Sequence, residues 1–170
     1  MNFVTPAEYH KAIAKAFAED VDNVLTTVDL YDITHYKSEF NRGVRFVLDA
    51  TATFGAYLDN GYMGGLFKNP TSPAKGVAKI AQDFRTKNGG CWFDAYDGYL
   101  SDIYRKNGFV AVASLAFNAE YAPKGWENNP TLATSPNVLF WVKAKRGVSY
   151  PEITSISDYA EGEAIVNLYK

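Results

Sequence analysis

The chain has a single cysteine, Cys91, and so no means of forming an internal disulfide; a lone thiol suits a reducing compartment. It has only two histidines, His10 and His35. Neither has a cysteine or a second histidine nearby, so a Cys/His metal site is unsupported. No apolar run approaches the roughly 20 residues of a membrane span, and the start lacks the basic-then-apolar layout of a signal peptide. Together these absences lead to the expectation of a cytoplasmic protein with no membrane association. A charge excess is missing too: the net charge is −2, which gives no general electrostatic footprint for nucleic acid. There is no Gly-x-x-x-x-Gly-Lys-Ser/Thr string, which excludes a P-loop, and no internal repeat, low-complexity tract or linker.

What is present is the composition of one globular domain: 170 residues, 47% hydrophobic and 21% charged. Residues 1–4 form a possible short strand. Thr5-Pro6-Ala7-Glu8 is a capping box with proline at the first helical position. Tyr9, Ala12, Ile13, Ala16 and Phe17 then recur on one helical face, with His10, Lys11, Lys15 and Glu19 on the other. In residues 21–43, Asp22 or Asp29 could cap a second helix whose buried side is Tyr31, Ile33, Tyr36 and Phe40; His35 is either structural or part of a substrate pocket. Residues 44–49 and 50–58 read as strands, the second alternating through Ala52, Phe54 and Ala56. Asn60-Gly61 fits a type I′ hairpin turn into a third strand over 62–68, where Gly64-Gly65 marks a bulge or a close approach of backbone or ligand.

A stretch from Asn69 to Ala78 links this strand to a helix with Val77, Ile80, Ala81 and Phe84 as its apolar stripe, closed by Asn88-Gly89. Exposed amides at a helix N-terminus beside a glycine make an anion site, and Lys75 adds a cation. Next come a short strand over 91–95 and a helix over 97–106 with Leu100, Ile103 and Tyr104 on one face. Asn107-Gly108 ends that helix, and residues 109–117 have the apolar character of a strand buried on both faces. A loop with Pro123 and Gly125 leads to a strand over 138–144 and a closing helix over 157–168, with Tyr159, Ala160, Ala164, Ile165 and Leu168 inward. This order gives an α/β fold with a mixed central sheet flanked by helices.

Two strings in it resemble the GNAT superfamily of N-acyltransferases. Asp97, Leu100, Ile103 and Tyr104, followed by Gly108-Phe109, match that family's Asn-x-x-Ala-x-x-Leu-Tyr helix and the Gly-Phe pair opening its next strand, with Asp97 in place of the Asn. Gly76 and Ala78 match the last two positions of Arg/Gln-x-x-Gly-x-Gly/Ala, the acyl-CoA pyrophosphate loop. Pro73, which has neither side-chain donor nor backbone N–H, stands where Arg or Gln is usual. The resemblance covers roughly residues 44–144. A tail from Phe117 and Asn118 through Tyr121-Ala122-Pro123 to Trp126 is similar to one in GNAT-like domains of phage and prophage proteins.

The resemblance implies a single GNAT-like domain that transfers an acetyl group from acetyl-CoA to an amine, on a small molecule or a protein. Strands 62–68 and 91–95 would run parallel and splay apart to admit pantetheine, with the pyrophosphate at Ser72, Lys75, Gly76, Val77 and Ala78. Leu66, Phe67 and Lys68 would lie along the thioester, the amide of Leu66 or Phe67 polarising its carbonyl as a one-donor oxyanion site. The amine would attack directly, both reactants held side by side. A free thiol has a pKa of about 8.5 and a phenol of about 10, so a tyrosine can protonate the leaving thiolate. Tyr104 holds the place of that general acid, or else is simply a residue of the helix's apolar face. Asp94 and Asp97 fall at the carboxyl end of a central strand. Either could serve as base, directly or through water, while Asp97 could instead cap the helix. Two other functions stay open. One is a non-catalytic interaction protein, a phage-type regulator or anti-defence factor, with Pro73 as its best support. The other is a transferase modifying a nucleic-acid base, for which Lys143, Lys145 and Arg146 are few.

Overall fold

The computed structural model describes residues 1–130 and 132–170, in two compact units, Met1–Gly90 and Cys91–Lys170. In the first, strands β1 (Asn2–Val4), β2 (Arg45–Leu48), β3 (Phe54–Asp59) and β4 (Tyr62–Lys68) form an antiparallel meander in chain order. Helix α1 (Pro6–Ala18) starts with the expected capping box: Thr5 Oγ accepts from the Glu8 amide, and the Glu8 carboxylate accepts from the Thr5 amide at 2.8 Å. Tyr9, Ala12, Ile13 and Ala16 pack with Phe46, Leu48 and Phe67. Val4 joins that core, whereas Phe3 beside it lies on Phe84 of helix α3 (Val77–Lys87) at 5.2 Å. Because successive strand residues point to opposite faces, α1 covers one face of the meander and α3 the other.

Three expectations for this unit need correction. Helix α2 (Ile33–Asn41) is capped by Asp32, whose carboxylate accepts from the Thr34 and His35 amides; Asp29 instead accepts from the Tyr31 hydroxyl. Of the expected buried residues of α2, Tyr36 is buried, but Tyr31 and Phe40 are exposed. Residues 50–53 are a turn rather than strand. Asp49 gathers the amides of Thr51, Thr53 and Phe54 at 2.6–2.8 Å, and Ala52 takes φ +53°. The third correction concerns α3, which buries Ala78, Ala81, Gln82 and Arg85 and leaves Ile80 exposed. The hairpin stands as read: Asp59 pairs with Tyr62 across Asn60 (φ +43°) and Gly61 (φ +92°).

In the second unit β5 (Trp92–Tyr96) and β6 (Phe109–Leu115) flank β7 (Val138–Lys143), antiparallel to both, and β8 (Thr154–Ile156) adds parallel to β6. The β8 strand was not foreseen. Phe140, Trp141 and Val142 of the central β7 are fully buried. Helix α4 (Tyr99–Lys106) begins two residues later than expected, after Gly98. Helix α5 (Tyr159–Tyr169), capped by Asp158, turns Gly162 and Val166 inward, with Ile165 beside them; Ala160, Ala164 and Leu168 are exposed. A Cβ on Gly162 would sit 2.5 Å from the Phe140 ring, so the missing side chain is what lets α5 approach β7.

Candidate functional site

The most irregular part of the first unit is the middle of β4. Gly55 pairs with Phe67 and Tyr57 with Gly64, so Ala56 alone faces both Gly65 and Leu66. That one-residue excess is a β-bulge. Gly65 takes φ +60°, which a glycine adopts without strain. A Cβ on Gly64 would overlap the Tyr57 ring, so the glycine pair expected to mark a bulge does so. Beyond it the Asn69 amide donates to Thr53 O at 2.7 Å. By the two-residue alternation of an antiparallel ladder, the Phe67 amide shares that direction, toward β3. Of the two amides considered as oxyanion donors, Leu66 is therefore the one off the β3 ladder. The Phe67 side chain is 1% exposed and belongs to the α1 core.

Two side chains hold this bulge. The Tyr9 hydroxyl donates to Gly65 O at 3.3 Å, and the Arg85 guanidinium donates to Gly64 O at 3.0 Å and Tyr57 O at 3.4 Å. Arg85 is 2% exposed and also bonds Ala81 O through Nε. Burial pushes the Tyr9 phenol well above its ordinary range, with Tyr36 and Tyr57 adding to the rise, so it is a neutral O–H donor. Neither residue was among the sequence candidates. Tyr9 reads as a core residue of an apolar stripe, and an arginine beside Phe84 reads as a surface charge.

Past β4 the chain is tied down and then opens. Buried Asn69 donates to Glu19 at 2.7 Å and accepts from the Thr71 amide. Buried Ser72 donates to Thr53 Oγ1 at 2.9 Å and accepts from the Ala74 amide. Gly76 precedes α3 at φ +67° with no side-chain cap, and, its two chain neighbours aside, no described residue comes within 4 Å of where its Cβ would be. The first amides of α3, Val77 and Ala78 among them, have no acceptor within the helix. Lys75 is exposed, Lys68 and Val77 are half-buried, and Ala78 is buried.

In the second unit Tyr104 is 6% exposed, its ring 4.8 Å from Phe93 and 5.5 Å from Trp141. The buried Trp141 Nε1 has no hydrogen-bond partner among the described residues. Asp94 accepts from the Tyr159 hydroxyl of α5 at 3.3 Å. Burial raises the Tyr159 phenol, and the Asp94 carboxylate raises it further. Phe93 and Asp94 are adjacent on β5, so the strand's alternation directs Tyr104's partner and Asp94 to opposite faces. Asp94 and Tyr104 are thus not brought together: Tyr104 packs with α4's side of the sheet, Asp94 with α5's. Asp97 is no backbone cap, because Gly98 holds that position; its carboxylate accepts from Ser101 Oγ at 2.6 Å.

No protein-family model and no curated protein matches the chain. Solved structures do match in fold. The yncA protein of Salmonella typhimurium, solved with its cofactor acetyl-CoA, superposes with a TM-score of 0.57 at 12% identity, over 89% of this chain and 96% of its own. Naa20 of Chaetomium thermophilum, in complex with a bisubstrate analogue, gives 0.57 at 10% identity, over 92% and 95%. A ribosomal-protein-alanine N-acetyltransferase of Brucella melitensis gives 0.53 at 14%, over 85% and 98%. The chain has the mixed α/β fold of the GNAT acetyltransferases.

Proposed function

We propose that the protein is an acyl-CoA-dependent N-acetyltransferase that passes an acetyl group from acetyl-CoA to an amine. The observation that carries this reading is the sequence of features along β4 and α3: a bulge with the Leu66 amide off the ladder, then an uncapped helix start at an open, left-handed Gly76. The α3 amides and the Lys75 ammonium suit the pyrophosphate, with Ser72 shaping the turn. Leu66 N–H suits the thioester carbonyl, with Phe67 and Lys68 continuing the strand. The amine nitrogen attacks that carbonyl, a C–N bond forms and the C–S bond breaks. The leaving thiolate takes a proton from Tyr104, and the amine gives one up to a carboxylate or to water. Asp97, just before the helix that carries Tyr104, is that carboxylate; Asp94, on the opposite sheet face from Tyr104, holds the Tyr159 hydroxyl instead. Among the described residues no helix is long and apolar enough to cross a membrane.

A second reading, an interaction protein that keeps the fold without catalysis, is favoured by Pro73, whose ring replaces a side-chain donor next to the turn. Calorimetric titration with acetyl-CoA separates the two. Wild type should bind. Gly76→Glu should not, since it adds a side chain at positive φ and a negative charge where the pyrophosphate would sit. Equal binding by both proteins, or none by either, would overturn the assignment of this turn.

A further inference from the structure

We propose that Tyr9 is a positioning residue for catalysis, its hydroxyl setting the direction in which the Leu66 amide points; this rests on the acetyl-CoA reading above. Gly65 C=O and Leu66 N–H belong to one planar trans peptide, so the two groups point opposite ways. Whatever holds the oxygen aims the N–H. The β3 ladder does not hold it, because Gly65 and Leu66 fall between registered pairs. The backbone at Gly65 does not hold it either, since glycine at φ +60° has other conformations of similar energy open to it. What anchors the oxygen is the Tyr9 hydroxyl, at 3.3 Å.

That anchor is rigid. The Tyr9 ring is 1% exposed and packs on Phe46 at 4.6 Å, Tyr36 at 5.4 Å and Phe67 at 5.6 Å, so its hydroxyl cannot swing away. From the other face Arg85 holds Gly64 O at 3.0 Å and so fixes the peptide just before. The preceding peptide is held by Arg85 and the following residue, Phe67, is registered on Gly55, so the Gly65–Leu66 peptide lies outside both of these restraints. Turning it over would strand the buried phenol without its acceptor, which disfavours the flipped state. A donor aimed in advance stabilises the developing oxyanion without reorganising during the reaction.

Tyr9→Phe tests this, because it keeps the ring and its packing and removes only the hydroxyl. In the wild type, saturation with acetyl-CoA should move the Leu66 amide proton downfield in ¹H–¹⁵N spectra, and free CoA should not. In the variant, acetyl-CoA affinity should stay within about twofold while kcat falls about tenfold or more and the Leu66 shift is at least halved. A variant with wild-type kcat and wild-type Leu66 shift overturns the inference. So does a kcat that falls only in step with melting temperature while the shift is kept. If wild type binds no acetyl-CoA, the functional reading fails by itself. The inference is then judged on a crystal structure of ligand-free Tyr9→Phe, where an unmoved, singly ordered Gly65–Leu66 peptide refutes it and a flipped or doubly occupied one upholds the hydroxyl's role.

Discussion

Replacing Tyr104 separates catalysis from packing, because two substitutions there remove different things. The ring is 6% exposed and meets Phe93 and Trp141 edge-on at 4.8 and 5.5 Å. Tyr104→Ala deletes a buried aromatic and should cost about 3–5 kcal/mol of stability. Tyr104→Phe keeps both ring contacts and gives up only the hydroxyl, worth about 0.5–1.5 kcal/mol. For a chain of this length that is a fall of a few degrees in Tm, at about 2–4 °C per kcal/mol. A protein with even about 5 kcal/mol of stability would remain roughly 99% folded after such a loss. If the phenol protonates the departing thiolate, turnover should drop by about 10²–10⁴-fold. That is about 2.7–5.4 kcal/mol on the barrier, far beyond what the lost stability can mimic. The loss should appear equally in kcat and kcat/KM, since the proton is needed only in the transition state. Thiol release from acetyl-CoA, with a panel of amines or with water as acceptor, gives the rate; differential scanning fluorimetry gives Tm. A Tyr104→Phe protein that turns over like wild type would refute the assignment. A drop in activity that follows the fraction folded would assign Tyr104 to packing alone.

Gly162→Ala sets helix propensity against fit. Alanine gains about 1 kcal/mol in a helix, but its Cβ would come within 2.5 Å of the fully buried Phe140 ring, and overpacking costs about 1–3 kcal/mol. A net loss is expected in denaturant melts, and a rise in midpoint would mean α5 does not dock on β7 through this residue. Asp49 should contribute to acid stability. Partial burial alone would raise its carboxyl pKa, but bonds from Thr51, Phe54 and Thr53 outweigh that and hold it below the ordinary range. Its contribution is therefore present above the unfolded value of about 3.9 and lost as pH falls through the lower folded value. Asp49→Asn should flatten the wild type's loss of Tm in that acid window, and an unchanged acid limb would deny the turn this role.

The short-range features were legible because their physics is local. Thr5 and Glu8 satisfy amides three residues away, Asn60-Gly61 supplies the backbone angles of its own turn, and Gly64-Gly65 announces a bulge by lacking side chains. Gly76, Ala78 and the Tyr104–Phe109 spacing were enough to suggest the fold that the solved structures share. Helix faces were harder. On α3 the apolar residues suggested a stripe through Ile80, yet the inward side carries Gln82 and Arg85. Pattern reading counts a guanidinium as surface, and nothing within α3 says that carbonyls of β3 and β4 await it. On α5 the large Leu168 suggested the buried side, but the contact with Phe140 requires the smallest residue, Gly162.

By itself, then, the sequence determined where α1 starts, how the hairpin turns and where β4 departs from regular pairing. Each depends on backbone hydrogen bonds and dihedral angles within a few residues. Only the tertiary structure decided which groups share a face. The alternation of β5 separates Phe93 from Asp94 in any fold, but it took α4 on one side and α5 on the other to send Tyr104 and Asp94 apart. Tyr9 acquires its part in the same way, from a carbonyl 56 residues along the chain that is exposed to it only because β4 bulges. Burial and hydrogen bonding are settled by the partner an element meets, and for these residues the partner lies far away in sequence.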